Sequence, residues 1–173
     1  MLPIPKHLKD ILVPTGEENN ENCVKGTVQC SCGCESFSMK FFADDDYEPP
    51  CVCEYKNDYA LMVKVRCGDC DREHLIFDIS KHGWNGFVCH EGISVPDDEL
   101  KSWKCRKCTN HTQHLEICIR SNGKQDFIEE TGIVDGETEF SEDEWTEGFG
   151  SICIKLQCIE CGHSDNDWIY ETM

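Results

Sequence analysis

The sequence predicts a mainly β protein with a small α content, built as a tandem pair of three-stranded units. Short segments alternate apolar and polar residues, as strands with one buried face do. The order cysteine turn, strand, acidic insertion, strand, CxxC, strand also occurs twice along the chain. The predicted organisation is an N-terminal tail with a short helix (1–22), a first unit (23–92), a linker (93–100) and a second unit with an acidic insertion (101–173).

Six segments carry the strand pattern, three in each unit. They are 37–41, 59–66 and 75–79 in the first unit, and 114–119, 151–157 and 167–171 in the second. In the linker, Pro96 before Asp-Asp-Glu predicts a single helical turn, because proline is tolerated at a helix start.

Two CxxC pairs in the second unit are the strongest chemical signal. Cys105 and Cys108 form the first pair, and Cys158 and Cys161 form the second. Two such turns facing each other predict a tetrahedral zinc site with four thiolate ligands. Fifteen cysteines are an odd number, and the N-terminus has no long apolar run like that of a secretory signal. Both observations favour metal binding in the cytoplasm over a disulfide framework.

The first unit predicts a second zinc site with a less regular ligand pattern. Cys67 and Cys70 form its CxxC, while the earlier turn reads Cys-Ser-Cys-Gly-Cys from residue 30. We expect Cys30 and Cys32 to be the ligands, because Gly33 follows where such a turn needs a positive φ. Cys34, paired with either of them, is the alternative.

Other cysteines have weaker assignments. Cys51 and Cys53 could be ligands of a third site or free thiols in a loop. Cys118 and Cys153 lie on strands of one predicted hairpin, where a cysteine packs as a small apolar side chain.

Each unit resembles a zinc ribbon, in which two cysteine turns lie at the ends of a hairpin that is joined by a third strand. The resemblance covers most of the chain at the level of fold. It implies two structural zinc ions. Because four protein ligands leave no position for a substrate, we expect no enzymatic activity.

The charge predicts a basic protein as the partner. The formal net charge is −18, and Lys155 is the one basic residue after residue 125, against fourteen acidic residues. Such a chain repels nucleic acid and attracts basic surfaces. Nine of those acids fall between residues 129 and 147, interleaved with aromatic residues that could anchor a contact.

The predicted partner-binding residues come from this acidic stretch, interpreted as the tip of a hairpin. They are Glu139, Phe140, Glu142, Asp143, Glu144 and Trp145. One form such a protein could take is an inhibitor or immunity protein that neutralises a basic partner.

Nucleic-acid binding is the alternative function. Four basic residues surround Trp103, a combination that could hold a phosphate and stack a base. They are Lys101, Lys104, Arg106 and Lys107.

A zinc or thiol enzyme is a less favoured function. Cys89-His90-Glu91 followed by a CxxC resembles part of a zinc deaminase site. The spacing is short, however, and Cys158 and Cys161 would lose their partners. No apolar run in the sequence is long enough to predict a membrane span.

Overall fold

The computed structural model describes residues 1–16, 18–133 and 140–172, with only the backbone of Tyr170. The strands are β1 (Leu12–Pro14), β2 (Cys23–Val28), β3 (Phe37–Phe42), β4 (Cys53–Tyr55), β5 (Asp58–Ala60), β6 (Met62–Cys67), β7 (Glu73–Asp78), β8 (Lys101–Ser102), β9 (Thr112–Arg120), β10 (Ser151–Cys158) and β11 (Ser164–Thr172). The α-helices are α1 (Gly83–Phe87) and α2 (Lys124–Thr131), and short 3-10 turns lie at Lys6–Leu8, Asp97–Glu99 and Glu142–Glu144.

Each half of the chain contains a three-stranded antiparallel arrangement. β6 pairs with β3 and β7 in the first half, and β10 pairs with β9 and β11 in the second. Each predicted strand segment overlaps one of these six strands, although 75–79 extends one residue beyond β7 and β5 takes the first residues of 59–66. The predicted mainly β fold is therefore confirmed.

The two arrangements are joined in one curled sheet of nine strands, while β4 and β5 form a separate hairpin. β2, which precedes the first cysteine turn, pairs with β9 of the second half. Reciprocally, β8, which precedes the second cysteine turn, pairs with β3 of the first half. β3 and β9 also meet directly, with Phe37 opposite Gln113. Each half therefore supplies a strand to the other.

One continuous core lies on the inner face of this sheet. In β9 and β10 the buried residues alternate with more exposed ones, which is the period-2 pattern of a sheet with one solvated face. Ile117 and Ile154 of the second half lie in the same apolar cluster as Phe37 and Val63 of the first. The two units thus share their hydrophobic interior.

The N-terminal residues, predicted as a tail, are packed into this core. Leu2, Leu8, Ile11 and Leu12 are at most 3 % exposed. The helical segment is a 3-10 turn, and β1 pairs with β2 at the edge of the sheet. Burial of these four side chains gives the segment a structural role, since each buried leucine or isoleucine contributes about 1.5–3 kcal/mol.

The acidic insertion between β9 and β10 contains the helix α2. The sequence predicts part of a hairpin in this region. α2 buries Phe127 and ends at Gly132, whose φ of 67° gives the left-handed conformation common after a helix. The linker does contain the predicted turn, at Asp97–Glu99 after Pro96. Among the described residues, no helix has the length and apolar character needed to cross a lipid bilayer.

Candidate metal centres

The first candidate centre brings together the four predicted thiols of the first unit. The Sγ atoms of Cys30 and Cys70 are 3.5 Å apart, as are those of Cys32 and Cys67. All four sulfur atoms lie within 4.8 Å of one another. A tetrahedral ion with metal–sulfur bonds of about 2.3 Å places its ligands about 3.8 Å apart. The four thiols therefore have the spacing of a tetrahedral metal site.

The second centre has the same geometry. The Sγ atoms of Cys105 and Cys161 are 3.6 Å apart, and those of Cys108 and Cys158 are 3.5 Å apart. These four sulfur atoms also lie within 4.8 Å of one another. In the first centre, one turn precedes β3 and the other joins β6 to β7. In the second centre, one turn precedes β9 and the other joins β10 to β11. The two groups could thus each hold one metal ion.

The three CxxC turns share one backbone geometry. In each, the N–H of the first cysteine donates to the carbonyl five residues later, and its carbonyl accepts from the N–H four residues later. The pairs are Cys67 with Arg72 and Asp71, Cys105 with Asn110 and Thr109, and Cys158 with His163 and Gly162. The residue after the second cysteine has a positive φ in every turn: 59° at Asp71, 62° at Thr109 and 67° at Gly162. This residue reverses the chain so that both thiols point the same way.

The CxC turn is a version of this geometry shortened by one residue. The N–H of Cys30 donates to the Cys34 carbonyl, and the Cys30 carbonyl accepts from Gly33. Gly33, directly after Cys32, has a φ of 93°. The positive φ expected at Gly33 is therefore present, and it allows two cysteines separated by one residue to occupy the place of a CxxC.

Cys34 lies outside the first group of four. Its Sγ accepts a hydrogen bond from the backbone N–H of Ser36 at 3.4 Å. The described geometry thus favours Cys32 over Cys34 as the second thiol of this turn.

Backbone N–H groups favour a thiolate at the first cysteine of each hairpin turn. Burial raises the pKa of Cys67 and of Cys158. The N–H groups two and three residues further along donate to the sulfur, however, and lower each pKa to about 6. Asn110 adds a side-chain N–H at 3.7 Å from the Cys158 sulfur. A thiolate is the form that binds a metal.

The pKa is raised at the close partners of these two cysteines, which are Cys32 beside Cys67 and Cys108 beside Cys158. For Cys32 and Cys108, the N–H two residues further along lowers the pKa, but burial and the neighbouring thiols raise it to about 12. In the Cys32–Cys67 and Cys108–Cys158 pairs, the opposed pKa shifts therefore favour one thiolate beside one thiol in the absence of a cation. A divalent ion would stabilise all four sulfurs as thiolates, because its charge replaces the shared protons.

The two centres differ in their exposure. Each centre has two buried thiols, but the other two are exposed in the first centre (Cys32 and Cys70) and half-buried in the second (Cys108 and Cys161). The second centre is therefore better shielded from solvent.

The remaining candidate ligands lie elsewhere. Cys51 and Cys53 are half-buried free thiols, and the Cys53 S–H donates to the carbonyl of Ala60 at 3.8 Å. Cys89 is an exposed free thiol, and among the described residues neither it nor His90 belongs to a group with metal-site spacing.

Half of the basic residues near the second centre form ion pairs within the chain. Trp103, the aromatic residue expected to stack a base, is 5 % exposed and packs in the core. Arg106 forms an ion pair with Glu48, and Lys101 forms one with Asp45. These acids reduce the positive charge that a phosphate would meet.

The predicted partner-binding residues adopt an ordered turn. Glu139 lies outside the described residues. At Glu142–Glu144, a capping box joins the N–H of Ser141 to the Glu144 carboxylate at 3.0 Å. Trp145 packs half-buried against the core, and the ring of Phe140 lies 4.8 Å from that of Phe87. The aromatic members are thus packed against the body of the protein, while Glu142 and Asp143 are exposed.

A buried cluster fixes this acidic segment to the N-terminus. Glu147, only 7 % exposed, accepts a hydrogen bond from the backbone N–H of Lys6. The ring of His7 stacks on that of His82 at 3.6 Å, and His7 Nδ1 lies 3.4 Å from the Glu147 carboxylate. This cluster is not predicted from the sequence, because its members are about 65 to 140 residues apart in the chain and share no local pattern.

Comparison of the chain with protein-family models, with curated proteins and with solved structures gives no match.

Proposed function

We propose that the chain is a non-enzymatic zinc protein whose acidic surface binds a basic protein. Zinc binding is supported by the two four-thiol groups, whose sulfur atoms have tetrahedral spacing. Zinc is the metal that proteins bind most often through four cysteines in a tetrahedral site.

Both zinc ions are structural in this proposal. Four thiolates complete the tetrahedron, so no position is left for a substrate or an activated water. The first centre links the segment before β3 to the β6–β7 turn, and the second links the segment before β9 to the β10–β11 turn. Zinc would therefore fix the ends of the central strands of the sheet that both halves form.

The charge supports a basic partner. Binding two zinc ions to eight thiolates adds four negative charges to the formal net charge of −18. The field of such a protein speeds encounters with basic surfaces and opposes encounters with nucleic acid.

The turn around Glu142 and Asp143 is the proposed contact. Its carboxylates are exposed, while Trp145 and the capping box hold the backbone. A contact that is already ordered loses little conformational entropy on binding. An inhibitor or immunity protein for a basic partner, working in the cytoplasm, is one form of this function.

The test is a capture experiment with two matched double variants. Glu142→Gln/Asp143→Asn neutralises the proposed contact, while Asp98→Asn/Glu99→Gln neutralises two exposed acids in the comparable turn at Asp97–Glu99. Deletion of the whole acidic segment is unsuitable, because it would remove the buried Phe127 and Glu147. Captured proteins are identified, purified and titrated at several salt concentrations.

The proposal predicts a basic partner whose affinity falls with salt and falls again in the first variant alone. Equal affinity for the wild-type chain and both variants would exclude this turn as the contact. A nucleic acid that binds at low salt, with a steep loss of affinity as salt rises, would instead support the alternative function.

A further inference from the structure

A surface cavity of about 270 Å³ lies at the start of α2. Its aromatic side chains are Trp84 and Phe127, and its acidic side chains are Asp126 and Glu130. Among the described residues, no basic side chain lines it, and glycines and small polar residues complete the wall. Pockets for drug-sized ligands have volumes of roughly 300–1,000 Å³, so this cavity has the size for a single side chain.

The two carboxylates give the cavity a negative charge. Asp126 and Glu130 are four residues apart on α2 and therefore lie on the same face of the helix. The side-chain N–H of Asn122 donates to the Asp126 carboxylate at 3.1 Å and orients it. The N-terminus of α2 contributes a partial positive charge of about half a unit, which the two full negative charges exceed. The cavity therefore favours a cation.

The aromatic rings offer a surface on which a cation can lie. The rings of Trp84 and Phe127 meet edge to face, with centroids 6.1 Å apart and an interplanar angle of 83°. In such a pair, one ring keeps both faces clear of the other. Phe127 is 2 % exposed, whereas Trp84 is half-buried, so Trp84 is the ring that a cation can reach. Tryptophan is the aromatic side chain that binds cations best.

Gly148 is required for this arrangement of rings. A Cβ atom at this position would lie 2.9 Å from Cε2 of Phe127, which is closer than side chains pack. Glycine therefore lets the backbone approach the ring from one side while Trp84 meets it from another.

The cavity lies next to the proposed acidic contact. Lys124 follows Gly123, which lines the cavity, and its ammonium forms an ion pair with Glu142 at 2.9 Å. This contact turns the nearest basic side chain of α2 toward the acidic turn and fixes that turn beside the helix. A partner that binds Glu142 and Asp143 would therefore also meet the cavity.

We propose, on the basis of the function proposed above, that this cavity binds an arginine side chain of the basic partner. A guanidinium group is planar, stacks on aromatic rings and can donate to two carboxylates at once. It also loses its hydration more readily than the ammonium group of lysine. Arginine is one of the three residue types that most often contribute the largest binding energies in protein interfaces.

The test uses three short peptides and the purified chain, with amide NMR signals as the readout. The peptides are Gly-Arg-Gly, Gly-Lys-Gly and Gly-citrulline-Gly with blocked ends, since citrulline replaces the guanidinium with a neutral group of the same shape. The arginine peptide should shift the amide signals of Gly148 and Gly150, which line the cavity. Its affinity should exceed that of the citrulline peptide about tenfold, because hydrogen bonds between charged groups are the stronger ones. The lysine peptide should bind with an intermediate affinity.

Two variants and a matched control place the binding in the cavity. Glu130→Gln should lower the affinity for the arginine peptide about two- to fivefold, as expected for an ion pair at an exposed carboxylate. Trp84→Leu should lower it by a similar factor, because it removes the aromatic face. Glu129→Gln makes the same change of charge at the next position of α2, which does not line the cavity, and should bind as the wild-type chain does.

Equal binding of the arginine and citrulline peptides would overturn the proposal, as would tighter binding of the lysine peptide or equal losses in Glu130→Gln and Glu129→Gln. A basic partner obtained by capture should displace the arginine peptide from the cavity, and a partner that binds without displacing it would also overturn the proposal. Failure to capture any basic protein would instead contradict the proposed function. The two failures are distinguishable because the peptide titration needs no partner.

Discussion

The positive φ after each cysteine pair gives a direct test of the turn geometry. At Gly162, φ is 67° and a Cβ atom added to the residue would meet nothing within 4 Å. Gly162→Ala therefore adds backbone strain without a steric clash. The left-handed conformation costs an L-residue about 1–2 kcal/mol, and the lower entropy of the unfolded alanine chain offsets about 0.5 kcal/mol of this.

A net cost of about 1 kcal/mol corresponds to a roughly fivefold loss of zinc affinity, because metal binding requires the closed turn. The reverse change is available in the same centre at Thr109, a β-branched residue with a φ of 62°. Thr109→Asn should raise the zinc affinity by a similar factor, because asparagine tolerates this conformation better.

The assay is competition with a chromophoric zinc chelator, fitted for two sites so that the first centre serves as an internal reference. Gly16→Ala is the control, since Gly16 has a φ of 88° and open space but lies in neither centre. Unchanged zinc affinity in Gly162→Ala, or an equal loss in Gly16→Ala, would refute the role assigned to these turns.

Three further predictions concern the shared core and the exposure of the centres. Gln113 is fully buried, and its amide N–H groups donate to the carbonyls of Phe37 and His111 at 3.1 Å. Gln113→Leu should therefore lower the free energy of unfolding, measured by urea titration, by about 1–3 kcal/mol. An unchanged free energy of unfolding would contradict these hydrogen bonds. Burial, followed by the charge of His7, lowers the pKa of His82 to about 3. The unfolded chain therefore binds a proton first, near pH 6.5, and the contribution of neutral His82 to stability is lost as pH falls from about 6.5 toward 3. His82→Asn keeps an acceptor for the Asp78 N–H and should show a shallower loss over this range, whereas an identical slope would exclude the effect. Finally, a chelator should remove zinc first from the first centre, because Cys32 and Cys70 are exposed. The rate of zinc release is compared between Cys158→Ser, which keeps the first centre, and Cys67→Ser, which keeps the second.

Local patterns are enough to predict the six strands of the two three-stranded arrangements and the cysteines of the two thiol groups. Alternation along 114–119 and 151–157 predicts β9 and β10, and the positive φ expected at Gly33 favours Cys30 and Cys32 over the alternative with Cys34. These features depend on residues that are close in sequence, so their signals are local.

The pairing of the two halves does not follow from local patterns. β2 pairs with β1 along one edge and with β9 of the other half along the second edge, and no sequence signal specifies which edge a strand joins. The helix α2 is not predicted because its acids and aromatic residues suggest a loop, although Gly132 is a typical helix stop. The strand pattern places Cys118 between the buried Ile117 and Ile119, so its side chain points to the outer face of the sheet. Its residue type alone suggests packing in the core.

The central claim is that two four-thiolate zinc centres support this fold, and metal stoichiometry tests it most directly. Elemental analysis of the purified chain and of Cys67→Ser and Cys158→Ser should give about two zinc ions for the wild-type protein and one for each variant. Retention of secondary structure after complete metal removal, or a zinc content near zero in a folded wild-type protein, would contradict the account.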